Sequence, residues 1–118
     1  MKTTKLFVYG TLKQSFDRGA GCKLLGVGHT KERWTLIDLG AFPGMIPGNT
    51  GVKGELWEIP VEMLTSLDRY EGVPSLYQRM DVEVRLDNNP QYEWVESYVY
   101  VNTSNLLSYE GTMAEWVR

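Results

Sequence analysis

The residues usually enlisted for nucleophilic or metal chemistry are scarce in this 118-residue chain, which has one histidine, His29, and one cysteine, Cys22. A Ser-His-Asp triad or a Cys-His dyad would have to use that histidine, and a zinc site would have only Cys22, His29 and carboxylates to draw on. Both read as structural or incidental. Chemistry is therefore expected to rest on carboxylates, tyrosines and backbone groups.

Among the carboxylates, Glu71 stands apart by its position. It closes the segment Pro60–Glu71, which carries helical signals at both ends: a proline suited to a first turn, and Gly72 just past the last one. At about 100° per residue, Met63, Leu64, Leu67 and Tyr70 cluster on one side, and Glu62, Thr65, Ser66 and Arg69 on the other. Glu71 lands within about 50° of the centre of the apolar stripe by the same arithmetic. An anion there sits in the last turn, where the macrodipole is negative, with Asp68 a like charge three residues earlier. Burial, dipole and neighbour all push its pKa upward, as an acid/base catalyst near neutral pH requires. The structural alternative is a Glu71 that frays into water or pairs with Arg69, Arg79 or a lysine.

A second feature is Tyr9-Gly10-Thr11-Leu12, where a buried strand breaks sharply. Such a turn exposes consecutive N–H groups that can hold an anion, although an ordinary strand end reads the same way. No G-x-x-x-x-G-K-[ST] follows, so it is not a P-loop. Gly40–Gly51 holds several Gly and two Pro and is expected to be a loop or a short bulged edge, lining a pocket or merely connecting strands. Tyr77, Tyr92, Tyr98 and Tyr100 read mostly as sheet packing with a polar tip.

The elements that must position these residues are mostly strands. Lys5–Tyr9 reads as a buried strand, Trp34–Leu39 and Val52–Ile59 as two more. The stretch from Lys13 through Leu24-Leu25 suggests a short helix or two. Met80, Val82, Val84 and Leu86 alternate with Arg79, Asp81, Glu83 and Arg85, and Asp87-Asn88-Asn89-Pro90 turns that strand into a partner over Tyr92–Val101. Thr112 and Glu115 suit a capping box for a short C-terminal helix. The sum is α+β: largely antiparallel strands in a strongly bent sheet or small barrel, with one main helix.

Composition narrows the classes. Twelve Lys+Arg against fifteen Asp+Glu give a net charge of −3, with no basic run, which argues against nucleic-acid and anionic-membrane partners. No apolar stretch approaches the roughly 20 residues of a membrane span, and Leu6–Leu12 reads as a first strand rather than a signal peptide. A lone cysteine suits a reducing compartment, and the expectation is a cytoplasmic, single-domain chain over residues 1–118.

FVYGTLK at 7–13, the Gly/Pro loop before GELWEI at 54–59, LDRYEGVPSLYQR at 67–79 and YVYV at 98–101 together resemble the γ-glutamylcyclotransferase-like superfamily. The likeness is greatest to γ-glutamylamine cyclotransferase and its small bacterial and plant relatives, and it spans nearly the whole chain. YGTL alone is weak; joined to L-D-x-x-E with Tyr-Gln-Arg six residues on, it is specific. The resemblance implies a small mixed β-barrel with short peripheral helices and a cavity at one end. It implies that Tyr9, Gly10, Thr11 and Leu12 bind the amino-acid end of a γ-glutamyl group, mainly through backbone atoms. It matches Glu71 to the acid/base carboxylate and places Tyr77 and Tyr100 among cavity tyrosines, with Arg79 touching ligand or supporting the fold.

The implied reaction is intramolecular. The substrate's α-amine attacks its own γ-carbonyl, closing 5-oxoproline and releasing an amine, with no metal or cofactor and a small-molecule γ-glutamyl compound as the partner; the sequence does not fix the oligomeric state, and a monomer is the favoured expectation. A non-catalytic small-molecule-binding or regulatory module on the same fold is the alternative.

Overall fold

In a computed structural model the described residues are 2–10, 21–39, 43–101 and 114–115. They form β1 (Thr3–Val8), β2 (Lys23–Thr30), β3 (Trp34–Asp38), β4 (Pro43–Pro47), β5 (Lys53–Pro60), α1 (Met63–Tyr70), β6 (Tyr77–Leu86) and β7 (Glu93–Tyr100). Five strands close a barrel in the order β1-β5-β2-β6-β7, and β3 and β4 make a separate two-stranded sheet. Four of the barrel's seams are antiparallel. The closing seam, β1 with β7, is parallel and short, matching Leu6 to Glu96 and Phe7 to Ser97. The α+β barrel with one main helix is thus what the chain adopts.

Alternation along the strands divides the core. From β1, Phe7 joins Leu56, Val82, Val84, Val95 and Val99 in one buried cluster, to which β3 and β4 add Leu36 and Met45. Its neighbours Leu6 and Val8 join Trp57, Ile59 and Tyr98 in the other, which α1 covers with Leu64. The helix therefore lies over one face of the wall formed by β1, β5, β6 and β7.

The structure corrects several sequence expectations. Leu24-Leu25 belongs to β2, not to a helix; a bulge between Leu24 and Gly26 spoils the alternation that would have marked a strand. The remainder of that helical expectation, residues 13–20, lies outside the described residues, as does Thr112 of the capping box. Within Gly40–Gly51, Pro43–Pro47 is a true strand, in unbroken register with β3 from Trp34↔Pro47 to Asp38↔Pro43. Its prolines stand at its two ends, where a missing N–H is tolerated. Pro60 does not start the helix but ends β5 opposite Thr3, and α1 begins three residues later. Tyr70, assigned to the apolar side, is 68% exposed; of the residues of α1 only Leu64 is buried.

Ser97 marks the barrel's closing seam from inside: fully buried, its Oγ donates to the Phe7 carbonyl at 2.8 Å. Ser97→Ala is expected to cost about 1–2 kcal/mol, because the hydroxyl's bond is lost in a site water does not enter. Urea unfolding of the two proteins measures this; equal midpoints would show that the hydroxyl contributes nothing to closure.

Candidate functional site

Eight residues make a helix too short to stand alone in water, so the end of α1 depends on local and tertiary contacts. Its C-terminus is tied by two backbone bonds of the Schellman type: Gly72 N–H to the Arg69 carbonyl at 3.2 Å and Val73 N–H to the Asp68 carbonyl at 3.0 Å. The motif requires a left-handed residue after the cap, and Gly72 supplies it at φ +68°. Glu71 is the cap itself, still helical at φ −81°, ψ −3°, with its N–H bonded to the Leu67 carbonyl at 2.9 Å. Its side chain is therefore aimed by the helix.

That aim is inward. Glu71 is half-buried and its pKa is pushed up from 4.5 to about 7, by burial. The helix arithmetic anticipated the direction, but not the cause in full: the expected help from Asp68 is not among the causes. Asp68 is itself engaged, accepting a hydrogen bond from Tyr98 Oη at 2.7 Å and lying 3.3 Å from Arg79 Nη1. Among the described residues no ion pair involves Glu71; Arg79, one of its suggested partners, instead bridges Asp68 and Glu96.

Three buried phenols feel the charge of the carboxyl. The Glu71 charge adds to the upward pKa shifts of Tyr9, Tyr77 and Tyr98, whose main cause is burial. Tyr77 and Tyr100 are direct cross-strand neighbours, their rings edge to face with centroids 5.5 Å apart. Tyr77 Oη donates to the Pro43 carbonyl at 2.6 Å. Tyr9 Oη donates to the Tyr98 carbonyl and accepts the Met45 N–H at 3.2 Å. The hydroxyls of Tyr9 and Tyr77 thus fasten β4 to the barrel, so that β4 borders the tyrosine cluster.

Of the residues singled out from sequence, Tyr9, Tyr77 and Glu71 come together, with Tyr100 against Tyr77. Gly10 follows Tyr9 at the end of β1, packed so closely that a Cβ there would stand 2.9 Å from Pro43 Cγ. Thr11 and Leu12 lie outside the described residues. His29 and Cys22 stand aside: His29 Nδ1 meets Asp87 Oδ1 at 2.6 Å beside the β6–β7 turn, and Cys22 Sγ lies 3.4 Å from Met63 Sδ. A hollow of about 480 Å³ between Thr3, Glu58, Asp81, Trp94 and Glu96 contains none of the predicted site residues. From the sequence Tyr98 reads as packing, and Pro43 only as part of a Gly/Pro loop that lines a pocket or connects strands. The signal for Tyr98 was present in the hairpin register, which sets it opposite Arg79.

A carboxyl that ionises near pH 7 can, as carboxylate, take a proton from one group and then, once neutral, return it to another. Among the described residues no cluster of His, Cys, Asp and Glu is arranged to hold a metal ion. No helix in them is long and apolar enough to cross a membrane.

A carboxyl whose folded pKa exceeds its unfolded value of 4.5 holds its proton more tightly when folded. The stability it permits at low pH is lost as pH rises from 4.5 to about 7, and stays lost above. Glu71→Gln should therefore stabilise the protein at pH 8 by about 1–3 kcal/mol and leave it nearly unchanged at pH 4. Urea unfolding at the two pH values tests this, and a gain equal at both would mean that the carboxyl is not desolvated.

Comparison with known proteins gives a consistent result. The family model described as gamma-glutamyl cyclotransferase, AIG2-like, matches residues 6–118. A Vibrio cholerae protein, provisionally named a gamma-glutamylcyclotransferase, is 35% identical over 106 residues, 87% of this chain and 87% of its own length. The Rattus norvegicus gamma-glutamylaminecyclotransferase is 37% identical over 94 residues, covering 69% of this chain and 63% of the rat protein. In structure, a Mus musculus AIG2-like protein superposes with a TM-score of 0.86 over 99% of this chain and 90% of its own, at 24% identity, a likeness of fold.

Proposed function

From the premise that this chain belongs to the gamma-glutamyl cyclotransferase, AIG2-like family, we propose that it converts a γ-glutamyl amine or γ-glutamyl peptide to 5-oxoproline and a free amine. The observation that carries this reading is Glu71: a carboxyl at the end of α1, held among phenols, that burial brings to ionise at about 7.

The reaction needs two things from a protein. The glutamyl chain must be folded so that its α-nitrogen reaches its γ-carbonyl, a positioning effect worth on the order of 7–11 kcal/mol in favourable intramolecular models. Gly10, with Thr11 and Leu12 after it, offers backbone N–H groups for the α-carboxylate or for the developing oxyanion. The packed rings of Tyr77 and Tyr100 limit the space in which the chain can curl. Second, one proton must move. The α-amine attacks in its neutral form, and Glu71 as carboxylate takes one of its two protons as the C–N bond of the ring forms. The protonated carboxyl then delivers it to the departing nitrogen as the original amide bond breaks, so that a neutral amine leaves. Atoms balance with no water consumed and no electron transferred.

The leaving amine is the part of the substrate that extends beyond the glutamyl group; the names of relatives include gamma-glutamylaminecyclotransferase. A panel of γ-glutamyl amines and peptides, γ-glutamyl-ε-lysine among them, assayed for 5-oxoproline, tests the reading. Release should rise with pH along a limb centred near 7, and Glu71→Gln should lower kcat by about 10²–10⁴-fold with the fold intact. Tight binding of the panel without ring product would instead make the protein a binding module, and full activity of Glu71→Gln would remove that residue from the mechanism.

A further inference from the structure

The Asp68 carboxylate stands at one end of a chain of contacts that crosses three strands. Tyr98 of β7 donates its hydroxyl to Asp68 Oδ1 at 2.7 Å, and Arg79 of β6 brings Nη1 within 3.3 Å of the same oxygen. Arg79 Nε lies 3.3 Å from Glu96 Oε1, and Glu96 Oε2 accepts the Thr4 hydroxyl of β1 at 2.9 Å. Arg79 and Tyr98 face each other across the β6–β7 ladder, so the two groups that grip Asp68 rise from one spot on the wall. Arg79 Nη1 is buried and makes no hydrogen bond of its own, only the ion contact with Asp68. Asp68 also gives its carbonyl to the Val73 N–H in the helix cap.

We propose that Asp68 is a positioning residue: clamped by Tyr98 and Arg79, it presses the last turn of α1 onto β6 and β7 and so keeps the Glu71 side chain facing the tyrosine cluster. The inference deepens the acid/base reading of Glu71 and rests on it for its functional meaning. Its physical content stands separately. Residues three apart on a helix share a face, so a tether at 68 fixes the direction of 71. Apolar packing alone holds this end weakly, since Leu64 in the first turn is the one buried residue of α1.

The clamp has a consequence that can be read apart from turnover. Among the described residues the phenols that feel the Glu71 charge are Tyr9 just past β1, Tyr77 of β6 and Tyr98 of β7, with Tyr100 beside Tyr77 and Arg79 beside Tyr98; Asp68, Arg69 and Tyr70 precede it on its own helix. The phenols of Tyr9, Tyr77 and Tyr98 are pushed upward and stay neutral near pH 7; Arg69 and Tyr70 are on the exposed side. Burial is therefore what sets the ionisation of Glu71, and lifting the turn into water must lower it from about 7 toward 4.5.

The experiment titrates Glu71 by carbon NMR in protein labelled at glutamate side chains, with Glu71→Gln identifying the resonance, alongside pH profiles of 5-oxoproline release. Asp68→Ala is expected to lower the Glu71 midpoint by about one pH unit or more. It should also move the acid limb of kcat down with it and reduce kcat about ten- to a hundredfold. Asp68→Asn, which can still accept from Tyr98, should recover part of both. Tyr98→Phe removes one hydroxyl and serves if the alanine variant does not fold; it should shift the midpoint in the same direction. Midpoints unmoved in both Asp68→Ala and Tyr98→Phe, or a wild-type midpoint already in the ordinary carboxylate range, would overturn the clamp. A midpoint that moves while Glu71→Gln retains full activity would keep the clamp and remove the catalytic reading instead.

Discussion

A carboxyl can be kept out of water near neutral pH only if the backbone carrying it has nowhere else to go, and here that backbone is the last turn of an eight-residue helix. Helices of this length do not hold together by their own hydrogen bonds. The turn is fixed instead from two directions. Along the chain, Gly72 reverses the backbone and returns the N–H groups of residues 72 and 73 to the carbonyls of 69 and 68. Across the chain, Tyr98 and Arg79 hold Asp68 against the barrel wall. The orientation and the ionisation of Glu71 both follow from this double attachment.

The barrel serves that arrangement through the hydroxyls of its tyrosines. A buried phenol must find a partner or lose the hydrogen bond it had with water. Tyr9 and Tyr77 find theirs in the backbone of β4 and β7, which draws the small β3–β4 sheet to the edge of the site. Packing and chemistry are therefore not separate layers here: the phenols that weld the second sheet to the barrel are among those that feel the charge of the carboxyl. The arrangement costs stability at neutral pH, because an ionised Glu71 is partly desolvated and no ion pair among the described residues compensates it. Sites that must shift a pKa commonly carry such a penalty.

Much of the fold could be read from local pattern. Strict alternation at 79–86, a turn-forming tetrapeptide and a second apolar run defined the β6–β7 hairpin, and the helix with its terminal glycine was legible from 3.6-residue spacing. The misreadings share a physical origin. At β2 a bulge breaks the period on which strand recognition depends, and Leu24-Leu25 then looks like a helical fragment. At β4 two prolines argue against a strand unless it is known that they fall at its ends in a two-stranded sheet. Pro60 suits a first helical turn and a strand's last position equally well, and only pairing with Thr3 decides between them. At the helix end the wheel turned Glu71 toward the interior, in keeping with its burial, whereas the repulsion expected from Asp68 is not among the causes of its shift.

What the sequence determined by itself is the inward direction of Glu71 and the place where the first strand must break, because helical periodicity, a terminal glycine and a Tyr-Gly step are properties of neighbouring residues. What only the tertiary structure decided is how Asp68 is neutralised, which tyrosine hydroxyls are engaged and how far Glu71 is withdrawn from water. Those depend on groups about thirty residues apart or more meeting through strand register, Asp68 with Tyr98 and Tyr9 with Tyr98. No local propensity encodes that meeting; it comes into being when the barrel closes.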